Sequence, residues 1–285
     1  ICEDEATKPS SEVFWSSNTR CMIEFRARGR SRSSSNKTGS ISLPRALIKR
    51  CFCCAIACLS TVTFDAVHVS AAPNAEALFN GRTLAGWHAV PPATAADWSV
   101  QDGAIAGRGS KDRLSYLVWR EDDLADFELS LRYRLRGDGN SGIEIRAVTD
   151  PSKRRPFVGY HADLGHIGIG PHILGAWDFH FTDRVEPACL RGTRLTINAN
   201  GTLDSEKIIP PLTLSAIHRE DWNHVRIVAR GKGCEFFING KLASAFMDLA
   251  TNANFKKGAI ALQIHDAGTW IEFKDIQLRK IQPAK

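Results

Sequence analysis

Residues 126–137 read DFELSLRYRLRG, and their alternation decides the fold. Phe127, Leu129, Leu131, Tyr133 and Leu135 fall on one side of an extended chain. Glu128, Ser130, Arg132, Arg134 and Arg136 fall on the other. A period of two with one apolar face is the signature of a half-buried strand in an antiparallel sheet. The same habit recurs in WNHVRIVARG (222–231) and CEFFINGKLASAF (234–246). The second run carries Asn239-Gly240, a pair that tolerates positive φ and favours a tight hairpin turn. Asn200-Gly201 is a second hairpin candidate. Regularly spaced short strands without a sustained 3.6-residue period predict an all-β fold, an antiparallel two-sheet sandwich, over residues 73–285. In the last strand the inward set shifts from odd positions (Ile271, Phe273) to even ones (Ile276, Leu278). One extra residue near Asp275 restores the phase, so a β-bulge is predicted there.

The region before residue 73 is of another kind. Residues 1–72 hold 10 Lys/Arg and 6 Asp/Glu, whereas the remainder holds 27 and 25. The basic balance therefore comes largely from the N-terminal part, and no nucleic-acid partner is needed to explain it. RARGRSRSSSNKTGS (26–40) has almost no apolar residues, and residues 1–44 read as a disordered basic leader. Next come Arg45, Lys49 and Arg50, the apolar run CFCCAIACLSTVTF (51–64) and the small residues VSAAP (69–73). That order is the order of a signal peptide, here 45–72, and the run is too short for a span of about 20 residues. The expectation is an exported protein, periplasmic or extracellular, with no stable membrane span after cleavage. Six of the eight cysteines lie before residue 60, which leaves Cys189 and Cys234 as a pair the sequence can neither join nor separate.

Candidate chemistry lies on strands with two unlike faces. In GAIALQIHD (258–266), Ile260, Leu262 and Ile264 alternate with Ala259, Ala261, Gln263 and His265. SGIEIRAV (141–148) sets Glu144 and Arg146 opposite Ile143 and Ile145, and GYHADLG (159–165) sets His161 and Asp163 opposite Tyr160, Ala162 and Leu164. If these strands are neighbours in one sheet, their polar sides converge on a groove. The plainer reading makes Glu144 and Arg146 a surface ion pair and leaves His265, Gln263 and Asp163 as structural groups. HADLGHIGIGPH (161–172) offers His161, Asp163, His166 and His172, whose spacing matches no standard metal site. No cofactor is assigned, and a divalent metal is left open. Trp87, Trp98, Trp119, Trp177 and Trp270 supply aromatic surface for sugar stacking, with Trp177 and Trp270 the favoured groove walls and Trp98 and Trp222 read as packing.

Several segments occur in order: LFNGRTLAGW (78–87), WSVQDGAIAG (98–107), DFELSLRYR (126–134), GNSGIEIR (139–146), GYHADLG (159–165), WNHVRIVARG (222–231), FFINGK (236–241) and GAIALQIHD…IEFKDIQL (258–278). Together they resemble the 3-keto-disaccharide hydrolase domain family, over about residues 76–282. The resemblance implies a concanavalin A-like jelly roll that is exported and linked to sugar breakdown. It further implies a carbohydrate substrate and an enzyme that removes the acidified C2 proton of a 3-keto glycoside and expels the C1 substituent, with water adding afterwards. On that reading Glu144, Arg146, Asp163 and His265 are catalytic: His265 or Asp163 as base, Arg146 as enolate stabiliser, Glu144 as acid. Asn140, His161, Gln263, Trp177, Asp178 and Trp270 bind substrate. One departure stands out, because Phe179 occupies the place of a Glu found in close relatives. A two-carboxylate glycosidase and a non-catalytic, lectin-like module are the alternatives.

Overall fold

The structure, a computed structural model, describes residues 74–110, 114–170, 172–182, 184–250 and 255–282. The expected leader (1–44) and signal peptide (45–72) lie outside the described residues. The strands are β1 (Glu76–Ala77), β2 (Trp87–Val90), β3 (Trp98–Gln101), β4 (Ala104–Arg108), β5 (Ser115–Trp119), β6 (Phe127–Arg136), β7 (Gly142–Thr149) and β8 (Phe157–Asp163). They continue as β9 (Trp177–His180), β10 (Thr193–Ile197), β11 (Leu203–Lys207), β12 (Asn223–Arg230), β13 (Gly233–Ile238), β14 (Lys241–Asp248), β15 (Ala259–Ile264) and β16 (Trp270–Lys280). Two short 3₁₀ turns, Pro92–Asp97 and Leu214–Ala216, are the helical content among the described residues.

The strands form two sheets. The larger runs β11-β10-β14-β13-β12-β6-β16-β4-β3, with β1 added to β16, and the smaller runs β2-β5-β15-β7-β8-β9. The expected all-β sandwich is therefore present. Its pairing is antiparallel except between β10 and β14, which run parallel. β6 alternates as its sequence requires: Phe127, Leu129, Leu131 and Tyr133 are buried and the residues between them are half-exposed. These side chains meet Ile143, Ile145, Tyr160, Ala162, Ile260, Leu262 and Ile264 from the smaller sheet in one apolar core. Each large aliphatic or aromatic side chain fully buried there contributes about 1.5–3 kcal/mol of transfer free energy.

Cys189 and Cys234 are both free and buried, and burial pushes each thiol up to about 12, which keeps it unreactive. Asp275 has φ 53°, and the β16–β6 register shifts between Lys274 and Gln277, so the expected bulge is there. Asn239 and Gly240 both have positive φ (49° and 77°) and close the β13–β14 hairpin in two residues. The β10–β11 hairpin also forms, turning through Gly201 (φ 85°) with Asn198 N–H donating to the Thr202 carbonyl.

Asn239 does more than turn the chain. Its amide Nδ2 donates to the Ala216 carbonyl and to Asn223 Oδ1, and its Oδ1 accepts the His224 N–H, each at 2.8 Å. The Asn239→Gly variant keeps the backbone geometry and loses all three bonds. It is expected to lower stability by about 1–3 kcal/mol, read from the shift in urea midpoint at unchanged slope.

Candidate functional site

The three polar-faced strands are neighbours: β15 pairs with β7, β7 with β8, and β8 with β9. Ala261 lies opposite Glu144, Glu144 opposite His161, and His161 opposite Asp178, in one row on the outer face of the smaller sheet. Because each strand turns an apolar face to the core, its polar residues have only this face to occupy.

At the centre stands a fully buried carboxylate, Glu144. Its Oε1 is 3.2 Å from Nδ1 of His161 and 2.5 Å from Nδ1 of His180. The two imidazoles stack with centroids 5.1 Å apart and planes 22° apart. None of these contacts has hydrogen-bond alignment, so both Glu144 oxygens and both Nδ1 atoms are buried without a hydrogen-bond partner among the described residues. Burial by itself raises the Glu144 carboxyl, but His180 and His161 beside it outweigh that effect and hold it well below the usual carboxylate range. For His161, burial opposes the charge and Glu144 favours it, with the net result a rise to about 9.

One donor atom from each of Glu144, His161 and His180 lies within 4.8 Å of the others. Two imidazoles and one carboxylate suit a divalent transition metal, and orphaned buried donor atoms are what such an ion satisfies. The Cβ of any side chain at Gly142 would stand 2.1 Å from His161 Nε2, so glycine there leaves room for the ring.

Around this centre lie further groups foreseen from sequence. Asp163 is buried, and burial together with Asp178 raises its carboxyl to about 7 against the opposing pull of His161 and of the Gly165 N–H. Asn140 carries a buried, unpartnered Oδ1. That atom and Asp163 Oδ1 each lie 3.1 Å from where a Cβ on Gly165 would stand. Gln263 donates its Nε2 to the Tyr116 hydroxyl at 3.0 Å, leaving its Oε1 unpaired. Asp178 is exposed at the edge of the row.

Other expected members lie elsewhere. Arg146 is not on the polar face. It has φ 49° at a register break between Ile145 and Val148, and this extra residue turns its side chain away from Glu144. Its Nε donates to the Ala125 carbonyl, Nη1 to the carbonyls of Gly231 and Phe255, and Nη2 to Asp126. It is a structural hub. His265 follows the end of β15, is exposed and pairs with Asp266. Trp177 is fully buried against Phe236 and Phe246. Trp270 begins β16 in the other sheet. His166 pairs with Asp138 at 3.5 Å, and His172 is exposed, so of the four ligands offered by residues 161–172 only His161 is in the metal-binding group.

Sequence reasoning missed His180 and Tyr116. The signal for His180 was present: in WDFHF (177–181), Trp177, Phe179 and Phe181 face the core and Asp178 and His180 do not. Phe179, read as a lost acid, packs against Tyr160, so position 179 belongs to the core side.

Fold and site together define an all-β sandwich with a buried His/Glu cluster on the outer face of one sheet. A family model described as the 3-keto-alpha-glucoside-1,2-lyase-like domain matches residues 74–279, and the chain belongs to that family. The family ties it to carbohydrate chemistry. Among solved structures the chain is similar to a candidate glycosyl hydrolase of Parabacteroides distasonis ATCC 8503, at 16% identity and TM-score 0.49, over 73% of this chain and 95% of that one. It is similar to a galectin-like protein of unknown function from Bacillus subtilis, at 11% identity and TM-score 0.47, over 74% and 96%. The carbohydrate-binding module CBM66 of Bacillus subtilis is similar at 16% identity and TM-score 0.45, over 68% and 95%. None of the curated proteins matches the chain.

Arg146→Ala separates scaffold from site. It strands Asp126 and three carbonyls, so unfolding in urea is expected to show a loss of about 3 kcal/mol.

Proposed function

We propose that the chain is a metal-dependent lyase acting on 3-keto glycosides, with its centre at Glu144, His161 and His180. The observation that carries this reading is the convergence of three buried ligand atoms within 4.8 Å, unaligned with one another, in a member of this family. Glu144, His161 and His180 would hold a divalent ion, which when bound would supply positive charge for an enolate oxygen formed from the 3-keto group. That task had been expected of Arg146, which is committed to the scaffold.

The remaining roles belong to the chain's own groups. Asp163, a carboxyl that burial and Asp178 raise above its ordinary value, is the group suited to take the C2 proton. As electrons return from the enolate, the C1–O bond breaks and a C1=C2 double bond forms. The departing oxygen receives a proton from the now protonated Asp163, which restores the carboxylate. Water adding across the double bond completes hydrolysis. Gln263, braced by Tyr116, presents a free Oε1 to orient a hydroxyl. Glu144 and the two imidazoles would serve as ligands and are given no proton-transfer role.

The lectin-like alternative relied on tryptophans lining the groove, but Trp177 lies in the core and Trp270 in the other sheet. We also propose export, on the basic–apolar–small order of residues 45–72. Among the described residues no helix is long and apolar enough to cross a membrane.

Incubating purified protein with 3-keto-trehalose or 3-keto-sucrose is expected to release free sugar. Release should stop on treatment with a chelator and return on adding a divalent ion. His180→Ala is expected to lower kcat/KM by about 100-fold or more with the fold retained by circular dichroism, and Gly142→Ala to weaken metal affinity by displacing His161. Binding without release would establish the lectin-like reading. Full turnover in chelator would remove the metal from the mechanism.

A further inference from the structure

The outer face of the larger sheet has no part in the site just described, and its charge is lopsided. Across the four adjacent strands β12, β6, β16 and β4, the solvent-facing positions hold eight basic residues and three acidic ones. β6 contributes Arg132, Arg134 and Arg136, and β12 contributes Arg226 and Arg230. β16 adds Lys274 and Arg279, and β4 adds Arg108. Against them stand Glu128, Glu272 and Asp275. Residues 73–285 as a whole carry 27 basic and 25 acidic groups, so this stripe holds more than the domain's entire surplus.

Asp275 takes Arg132 (3.6 Å), and the other two acids are each shared between two cations. Glu272 takes both Arg134 (2.7 Å) and Arg136 (2.9 Å). Glu128 takes both Arg279 (3.0 Å) and Arg226 (3.6 Å). Arg230 is exposed and has no ion pair among the described residues. The cations are also held in place. Arg108 and Arg136 lie 3.8 and 4.7 Å from the Trp270 ring centre, and Arg134 and Lys274 lie 4.6 and 4.1 Å from that of Trp222. Stacking of this kind fixes a guanidinium while leaving its N–H edge free to donate. Beside the stripe is a groove of about 520 Å³ lined by four arginines (Arg194, Arg226, Arg230 and Arg279) and two acids, Glu128 and Glu235, with Arg230 the arginine left without an ion pair among the described residues.

We propose that this face docks an acidic polysaccharide, a chain bearing repeated carboxylate or sulfate groups. Strand geometry spaces the cations about 6.6 Å apart along a strand and about 4.8 Å between strands, which matches a repeating polyanion better than a single small anion. The stripe's tryptophan faces are occupied by cations, so they are closed to the base stacking that single-stranded nucleic acids use. The proposal does not require the lyase reading. It gives the domain a second carbohydrate surface on the sheet opposite the His/Glu cluster.

The test uses the full chain. Affinity is measured for polygalacturonate, chondroitin sulfate, neutral pullulan and a DNA duplex across a salt series. Either acidic polysaccharide is expected to bind at low salt and pullulan not to, with the better of the two identifying the anionic group. Arg226→Ser/Arg230→Ser should weaken binding about 10-fold or more and flatten the salt slope, while release of sugar from 3-keto-trehalose stays at the wild-type rate. If the double variant melts early, Arg230→Ser alone carries the comparison, since that side chain is exposed and unpaired. Failure of both acidic polysaccharides to bind, unchanged binding in the variants, or tighter binding of the duplex would each overturn the proposal.

Discussion

The register that sets Glu144 opposite His161, with His180 on the next strand, governs what this protein can do. Side chains on a pleated strand change face at every residue, so a slip of one position on β7 would send Glu144 into the core and Ile143 to solvent. The core prevents the slip: Ile143, Ile145, Tyr160 and Ala162 are fully buried and interlock with β6 and β12. Apolar packing of ordinary strength thereby holds a buried carboxylate against two imidazoles, whose positive charge, when protonated, offsets the cost of burying it.

Much of this was legible from residues alone, for a physical reason. Alternation is enforced by burial at every second position, so β6, β7, β8, β12 and β15 announce themselves, and the polar faces of β15, β7 and β8 can be read before their adjacency is known. The phase change at Ile271, Phe273, Ile276 and Leu278 located the bulge at Asp275 because apolar residues flank it on both sides. The bulge at Arg146 left no such trace. It is followed by Ala147 and Val148, too small and too neutral to mark which side is inward. Arg146 was thus assigned to the polar face, although a positively charged side chain can be fully buried when carbonyls surround it.

The aromatic residues misled in the opposite direction. Trp177 sits in a segment without long alternation, and Trp270, although followed by the alternating Ile271 and Phe273, was read with the loop before it rather than with the strand it opens. β9 has only four residues, yet their pattern would have assigned both Trp177 and His180 had it been weighed like a longer strand. Short strands at a sheet edge carry site residues here, and their brevity is what hides them.

Arg146 joins parts of the chain that are far apart in sequence. Its guanidinium reaches the Ala125–Asp126 segment before β6, the turn at Gly231 between β12 and β13, and the backbone at Phe255 leading into β15. One planar group thus rivets both layers of the sandwich together at a single corner, two residues along β7 from Glu144. The β12–β13 turn of the larger sheet and the β7 strand of the smaller one therefore share a single anchor, so the backbone at Gly231 and the strand that carries Glu144 are tied through that corner.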